Sequence, residues 1–272
     1  MLYKKNIIFN QQIKETYTHL KELELNTICV EGNCPNIGEC FSKGKMTFLI
    51  LGDTCTRNCL YCNVNKSKRG KELNFGEIEN IKKIISLHRL NSVVITSVTR
   101  DDLIDGGSHY YALLCKELKE FNNKVSIEIL TPDFGYDEKS INTIITSHAD
   151  ILSHNIELTQ SLYKKYRPVG NYTKSLDILK QYAQSGKKSK SAFIIGFGET
   201  DDDIKQTIYD IASTNIHYLS IGQYLAPSKN HLKPLKYYSH EYFQTLSEWV
   251  KENFNFEKID VSFYSRSSYL DA

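Results

Sequence analysis

The stretch TFLILGDTCTRNCLYC, at residues 47–62, decides how this chain is expected to fold. It begins with one β-branched and four apolar residues that stop at a Gly-Asp pair, and a short apolar run bounded by turn residues is typical of a buried strand. Cys55, Cys59 and Cys62 follow directly, with the spacing C-x3-C-x2-C. Three thiolates at this spacing could bind three irons of a [4Fe–4S] cluster and leave the fourth iron open to a small molecule. Zinc is the alternative, but three cysteines without a nearby histidine make a poor structural zinc site.

Beyond this stretch the sequence alternates between helical and strand patterns. Helical spacing of apolar residues covers residues 76–90, 108–119, 138–147, 159–166, 173–185, 200–214 and 239–253. Strand patterns cover residues 92–97, 125–130, 151–154, 191–195 and 218–221. Such alternation predicts βαβ units and a parallel sheet. Five to six units fit a barrel better than an open, doubly wound sheet, although periodicity alone does not decide between them.

We therefore predict an α/β fold, a partial (β/α)6 TIM-like barrel with N- and C-terminal extensions. The expected boundaries are residues 1–46 for the N-terminal extension, residues 47–256 for the barrel and residues 257–272 for the C-terminal tail.

A second group of cysteines lies in the N-terminal extension. Cys29, Cys34 and Cys40, in CVEGNCPNIGEC, have the spacing C-x4-C-x5-C. This spacing alone is also compatible with a zinc loop or with simple reactive thiols. Two three-cysteine groups in succession indicate two clusters, each short of one cysteine ligand. Cys115, the remaining cysteine, lies between leucines in a helical pattern and is expected to be a buried packing residue.

Composition and charge limit the classes of partner. The 272 residues are 40% hydrophobic and carry a net charge of +2, which gives no reason to expect nucleic acid or a membrane as the main partner. No apolar run reaches the roughly 18 residues of a membrane span, and the N-terminus does not have the pattern of a secretory signal. We therefore expect a reducing compartment, the bacterial cytoplasm or, in a eukaryote, the mitochondrial matrix. Clustered thiols in such a compartment are more often metal ligands than disulfides.

Polar and glycine-rich segments follow the predicted strands. Barrels of this kind carry their active sites at these strand ends, whereas a metal-binding scaffold without turnover would not need such residues. Glu128 lies among apolar neighbours in a predicted strand, so its carboxylate is expected to face the barrel interior; a salt bridge with Arg167 or a lysine is the alternative. The segments are residues 53–55, 98–102, 131–133, 155, 196–200 and 222–224.

Seven segments, in this order, resemble lipoyl synthases, a family of the radical S-adenosylmethionine (SAM) superfamily. They are CVEGNCPNIGEC, LGDTCTRNCLYC, TSVTRDDLIDGGS, LSHNIE, IGFGET, GQYLAPS and RSSY at residues 266–269. The two cysteine motifs together with RSSY are highly specific. A biotin synthase-like enzyme is the alternative, but biotin synthases lack C-x4-C-x5-C and RSSY. Asp271 stands where the family usually has alanine, which leaves open how the tail closes over the second cluster.

The resemblance implies a set of site residues. Cys55, Cys59 and Cys62 would hold the radical SAM [4Fe–4S] cluster, whose open iron is chelated by SAM. An auxiliary [4Fe–4S] cluster would be held by the other three cysteines and by one serine of RSSY, Ser267 or Ser268, and we favour Ser268. Arg266 is a candidate catalytic residue, although it could equally fix the tail or be solvated. The residues expected to bind SAM are Thr96, Arg100, Glu128, Asn155 and Arg167.

The resemblance also implies the reaction and its partners. Two sulfur atoms from the auxiliary cluster would enter carbons 6 and 8 of a protein-bound octanoyl-lysine. The partners would be the octanoylated lipoyl carrier domains of 2-oxoacid dehydrogenase E2 subunits and the glycine cleavage H protein, an electron donor such as ferredoxin or flavodoxin, and an iron–sulfur carrier that rebuilds the cluster. A basic run of Lys66, Lys68, Arg69 and Lys71 is usually a solvated face, but it could steer an acidic carrier domain towards the site.

Overall fold

The computed structural model describes residues 11–268 of the chain. Within this range the backbone divides into two compact units. The first is formed by residues 11–58 and 62–150, and the second by residues 59–61 and 151–268.

The first unit contains three parallel strands with helices between them. Strand β1 pairs with β4, and β4 pairs with β5, so that β4 is central in this unit. Its strands are β1 (Thr47–Ile50), β4 (Ser92–Ser97) and β5 (Ser126–Leu130), with the short parallel pair β2 (Thr54–Cys55) and β3 (Asn65–Lys66). Its helices are α1 (Gln11–Glu22), α2 (Ile28–Glu31), α3 (Ile37–Ser42), α4 (Gly76–Leu87), α5 (Ser108–Phe121) and α6 (Glu138–Ile145), with a 3-10 turn at Phe134–Tyr136.

The second unit repeats the same alternation around four strands. Strands β6 (Ile151–Ser153), β7 (Lys188–Ile195), β8 (Tyr218–Gln223) and β9 (Lys258–Val261) pair in parallel in this order. The helices are α7 (Gln160–Tyr166), α8 (Tyr172–Gln184), α9 (Asp201–Ala212) and α10 (His240–Asn253).

Local chemistry explains why these elements begin where they do. All four residues of β1 are buried, as expected of an apolar strand covered on both faces. Helix α9 begins with a capping box, in which the side chains of Thr200 and Asp203 each accept a hydrogen bond from the other's backbone N–H. The three aspartates of its first turn also stabilise the helix, because their negative charge lies at the positive end of the helix dipole. Asn171 and Ser239 cap α8 and α10 with their side-chain oxygens, which accept hydrogen bonds from backbone N–H groups in the first turn.

The parallel strands and intervening helices agree with the predicted α/β class, and three details differ from expectation. Strand β7 begins at Lys188, whereas the prediction began at residue 191. The prediction began too late because Ser189 and Lys190 have polar side chains, although both are buried. Strand β9 was not predicted, since KIDV contains two charged residues. Helices α2 and α3 were also missed because four and six residues are too short to display a helical period. Among residues 11–268, no helix is long and apolar enough to cross a membrane.

A strained bend joins β1 to the cysteine loop. Leu51, a non-glycine residue, adopts a left-handed conformation with φ of 66°. Its carbonyl oxygen accepts a hydrogen bond from Arg100 Nη1 at 2.9 Å. Its side chain lies so close to Gly107 that a Cβ there would be 2.3 Å from Leu51 Cδ1, so only glycine fits at 107. The end of β1 is therefore fixed by the segment that follows β4.

Helix α4 buries a carboxylate near this bend. Glu77, in the first turn, accepts a hydrogen bond from Tyr110 Oη at 3.0 Å. Burial raises the pKa of Glu77 to about 7, against the lowering effect of hydrogen bonds from Tyr110 and the Leu51 backbone. The ordinary pKa is 4.5. Between about pH 4.5 and pH 7 the folded protein therefore keeps a proton on Glu77 that the unfolded chain has already released.

We expect Glu77→Gln to remove this pH dependence from the stability of the metal-free protein. The free energy of unfolding of the unaltered protein falls by about 3 kcal/mol over this window, because each pKa unit is worth about 1.4 kcal/mol. The free energy of unfolding of the variant, relative to that of the unaltered protein, should therefore rise between pH 5 and pH 8, as measured by urea unfolding. Glu79→Gln, on an exposed position of the same helix, is the control and should leave the pH dependence unchanged. An equal difference between Glu77→Gln and the unaltered protein at both pH values would contradict the prediction.

Candidate functional site

The first cysteine group lies on the two short helices before β1. Thr27 caps α2 by accepting a hydrogen bond from the Val30 N–H at 3.3 Å. Cys29 lies in α2, and Cys40 lies in α3. Burial, and then negative charge on Cys34 and Cys40, raises the pKa of the Cys29 thiol to about 12. Cys29 is buried, whereas Cys34 and Cys40 are half-buried.

The second cysteine group lies in the loop after β1, and its three cysteines are half-buried. Thr56 donates hydrogen bonds from both its backbone N–H and its hydroxyl to the Thr99 carbonyl at 3.0 Å. The Arg57 N–H donates to the Cys55 sulfur at 3.4 Å. The first half of the loop is therefore tied to the end of β4.

Arg57 is a buried charge that sequence reasoning missed. Its guanidinium donates to Asp101 at 2.8 Å through both Nε and Nη2, and to Asp133 at 2.5 and 2.7 Å through Nη1 and Nη2. Asp133 is completely buried. Burial opposes the charge on Arg57, but the hydrogen bonds to the two carboxylates outweigh it and raise the arginine pKa further.

Three of the residues expected to bind SAM lie in the first unit. The Thr96 hydroxyl donates to the Leu130 carbonyl at 3.0 Å, and Glu128 is buried on β5. Arg100 is engaged by Asp102, with Nε and Nη2 at 2.8 and 3.0 Å, in addition to its bond to the end of β1. This ion pair holds the pKa of Asp102 below its usual range. The guanidinium of Arg100 therefore orders the strand end on which a ligand would rest.

The other two expected SAM residues lie in the second unit, together with an acidic residue that was not predicted. Asn155 Oδ1 accepts a hydrogen bond from the Ser267 hydroxyl at 2.9 Å. Arg167 is buried and donates to Tyr163 Oη at 2.8 Å. Burial raises the pKa of Glu157, while the Arg167 charge and a hydrogen bond with Asn155 oppose this shift. Asn155, Glu157 and Arg167 thus form one polar group.

The glycine-rich segment after β7 is closed by internal hydrogen bonds. The Glu199 carboxylate accepts from the N–H groups of Gly196 and Phe197 at 2.6 and 2.8 Å. Gln223 donates to the carbonyls of Tyr224 and Lys236 at 3.1 and 3.0 Å, and its oxygen accepts from the Tyr238 N–H at 3.0 Å. The amide of Gln223 is used by the backbone, and Tyr224 stacks on Phe197 at 4.4 Å in the core.

The C-terminal segment follows β9 and lies against β8. A Cβ at Gly222 would be 2.2 Å from the Ser265 carbonyl oxygen, so glycine permits this close approach. Arg266 Nη1 donates to the same carbonyl at 2.6 Å. Ser267 contacts Asn155, and Ser268 is half-buried. Tyr269 and Asp271 lie outside the described residues.

The donor set fits iron–sulfur clusters. Within residues 11–268, no three Cys, His, Asp or Glu side chains meet closely enough to surround a single metal ion. In a cubane each thiolate binds a different iron, so the ligand sulfurs need not converge on one point. Thiolate donors select soft metals and iron–sulfur clusters, and positive iron beside Cys29 would favour the thiolate that burial disfavours.

Comparison with known proteins defines the class of this chain. A family model described as the Radical SAM superfamily matches residues 49–211, more than half of the sequence. The structure of Streptococcus suis SuiB bound to S-adenosylmethionine is similar with a TM-score of 0.60 at 12% identity, over 93% of this chain and 56% of that chain. Methylornithine synthase (PylB) is similar with a TM-score of 0.59 at 14% identity, over 88% of this chain and 73% of that chain. The predicted α/β fold class is confirmed, and radical SAM membership implies a [4Fe–4S] cluster and SAM.

More similar sequences narrow the assignment. A lipoyl synthase of Caldicellulosiruptor saccharolyticus is 40% identical over 263 residues, which cover 96% of this chain and 92% of that protein. Lipoyl synthases of Neisseria meningitidis and Polaromonas naphthalenivorans are 41% and 42% identical over 253 residues, which cover 92% of this chain and 77% and 76% of those proteins. The chain therefore belongs to the lipoyl synthase family within the radical SAM superfamily.

Proposed function

We propose that this chain inserts two sulfur atoms at carbons 6 and 8 of a protein-bound octanoyl-lysine and so forms the lipoyl group. One observation carries the proposal: two three-cysteine groups occur in a chain that is 40% identical to a lipoyl synthase over 96% of its length. The positions of Cys29 and Cys40 on the two short helices that precede β1 support a common site for this group.

We propose the following ligands for the clusters. Cys55, Cys59 and Cys62 hold the cluster that binds SAM, and Ser268 completes an auxiliary cluster on the cysteines of α2, α3 and the turn between them. When bound, these groups supply a carbon-centred radical from SAM and the sulfur atoms to be inserted. Unactivated C–H bonds require a radical, since no side chain of this protein could remove such protons as a base. Serine oxygen is a harder ligand than thiolate, so its iron is the one most easily released.

The protein's own residues bind and orient. Arg167 is buried beside Tyr163, and its guanidinium would attract a carboxylate, while Glu157 and Asn155 would supply acceptors to an ammonium or to ribose hydroxyls. Thr96 on β4 would supply a hydroxyl, and Glu128 on β5 would supply a carboxylate. These assignments, like the candidate role of Arg266, follow the family resemblance.

The proposed partners are those of the reaction. They are octanoylated lipoyl carrier domains, a small electron-transfer protein such as ferredoxin or flavodoxin, and an iron–sulfur carrier that rebuilds the auxiliary cluster after each turnover. A reducing compartment such as the bacterial cytoplasm is the proposed location.

The reaction is tested directly with octanoylated H protein, SAM and a reductant under anaerobic conditions. We expect the carrier to gain the mass of two sulfur atoms, with both sulfurs on the octanoyl chain after proteolysis. A carrier that gains no sulfur while SAM is cleaved would rule out sulfur insertion and leave only a radical SAM enzyme of another specificity.

The basic run after the cysteine loop is a candidate docking surface for the carrier domain. Lys68 and Arg69 are exposed, whereas Lys71 pairs with Asp53 at 2.7 Å. We expect Lys68→Glu/Arg69→Glu to lower turnover on a whole acidic carrier roughly tenfold at low salt, with a smaller loss at high salt because screening weakens the attraction. Turnover on a short octanoyl-lysyl peptide should not change. Lys174→Glu/Lys180→Glu, on the exposed face of α8, is the charge-matched control, and equal losses on carrier and peptide would contradict the proposal.

A further inference from the structure

Arg57 lies inside the cysteine loop, between Cys55 and Cys59, and its side chain is held by carboxylates of two other segments. The guanidinium makes two hydrogen bonds to Asp101, which follows β4, and two to Asp133, which follows β5. Arg57 is 6% exposed and Asp133 is fully buried, so solvent screens this pair weakly, whereas Asp101 is exposed. A planar guanidinium can engage two carboxylates at once in this way, whereas an ammonium cannot.

The backbone of the same residue contacts a cluster ligand. The Arg57 N–H donates to Cys55 Sγ at 3.4 Å, and the preceding Thr56 is bonded to Thr99 and Asp101. Movement of the Arg57 side chain would therefore turn the peptide whose N–H faces the sulfur. Hydrogen bonds to ligand sulfurs stabilise the additional negative charge of a reduced iron–sulfur cluster and so raise its reduction potential.

We propose that Arg57 is a positioning residue for the radical SAM cluster: by gripping Asp101 and Asp133 it holds its own N–H on the Cys55 sulfur and raises the reduction potential of the cluster. The inference rests on the proposed role of Cys55 as a cluster ligand. A buried ion pair of this kind stabilises a fold little compared with apolar residues of the same volume, so fixing one arrangement of the loop is its more informative role. An easily reduced cluster matters because one electron must enter it before SAM can be cleaved.

The test uses Arg57→Lys in the Cys29→Ala/Cys34→Ala/Cys40→Ala background, which leaves one cluster per chain. Lysine keeps the charge, so a change in potential reports geometry and not net charge. We expect about four irons per chain in both proteins after reconstitution. At a fixed reductant potential, the ratio of reduced to oxidised cluster measured by electron paramagnetic resonance should fall about tenfold in Arg57→Lys, which corresponds to a midpoint lowered by about 59 mV.

Lys71→Gln is the matched control. It removes the ion pair of Lys71 with Asp53, a pair that belongs to the same segment but is exposed to solvent. Its midpoint should equal that of the background protein. Should Arg57→Lys lose its iron, circular dichroism and melting of the metal-free chain decide the meaning: an unchanged fold supports the positioning role. If the metal-free variant does not fold, Asp101→Asn, which keeps the Asp133 contacts, takes its place. Loss of a negative charge alone would raise the midpoint, so a lowered midpoint there supports the inference, and an unchanged or raised midpoint overturns it.

An Arg57→Lys variant with a normal cluster and an unchanged midpoint likewise overturns the inference, and it leaves the proposed function untouched. A background protein that binds no iron at all would instead overturn the assignment of Cys55, Cys59 and Cys62, and with it both proposals. The experiment requires neither a carrier protein nor lipoyl formation, so the two failures are distinguishable.

Discussion

Replacing Cys29, Cys34 and Cys40 together by alanine is expected to halve the iron content and abolish lipoyl formation while SAM cleavage continues. The reason is that these three cysteines are the proposed ligands of the auxiliary cluster, which is the proposed sulfur source, while Cys55, Cys59 and Cys62 remain intact. Anaerobic reconstitution followed by iron and acid-labile sulfide analysis should give about eight irons per unaltered chain and about four in the triple variant. The 5′-deoxyadenosine formed in the presence of reductant measures the chemistry that remains.

The matched control is Cys115→Ala. Cys115 is fully buried in α5, outside both cysteine groups, so its loss should leave eight irons and full product formation, with only a modest decrease in stability. About four irons in both the unaltered chain and the triple variant would mean that the upstream cysteines hold no cluster. Sulfur insertion would then have lost its chemical source.

Replacing Cys59 by alanine is expected to produce the opposite pattern. The proposed SAM-binding cluster has only three protein ligands, so the loss of one leaves two open irons and no stable cubane. Iron should again fall to about four per chain, but 5′-deoxyadenosine formation should now disappear together with lipoyl formation. Single-turnover assays with octanoylated H protein separate the two variants, since SAM consumption persists in the triple variant and stops in Cys59→Ala. Continued SAM cleavage by Cys59→Ala would contradict the ligand assignment.

How much of this molecule could be predicted depends on the range of the interactions involved. The apolar run of β1 and the helical pattern of residues 200–214 are local, and they were predicted correctly as a strand and as a helix. The cysteine spacings are local as well, and their role as cluster ligands stays a prediction. Strand β9 was missed because charged side chains interrupt its four residues, and the pairing that makes it a strand comes from β8. Which of Ser267 and Ser268 binds iron remains a prediction.

Long-range charge pairs were beyond reach of the sequence. Arg57 and Asp133 are 76 positions apart, and no period connects them. The arginine had one local signal, its place inside the cysteine motif, but only the structure shows the carboxylates that neutralise it. Glu157 had a weak signal too, because it follows Asn155 by only two residues in the segment LSHNIE.

The left-handed bend at Leu51 bears on which residues shape the cysteine loop. A leucine in this conformation raises the energy of the chain by roughly 1–2 kcal/mol, and packing with Gly107 and the Arg100 hydrogen bond supply the compensation in the protein alone. The turn before the cysteine loop is thus held by residues that lie far from it in the sequence. A substitution at Arg100 or Gly107 would therefore be transmitted to the loop that carries Cys55, although neither residue belongs to the cysteine motif.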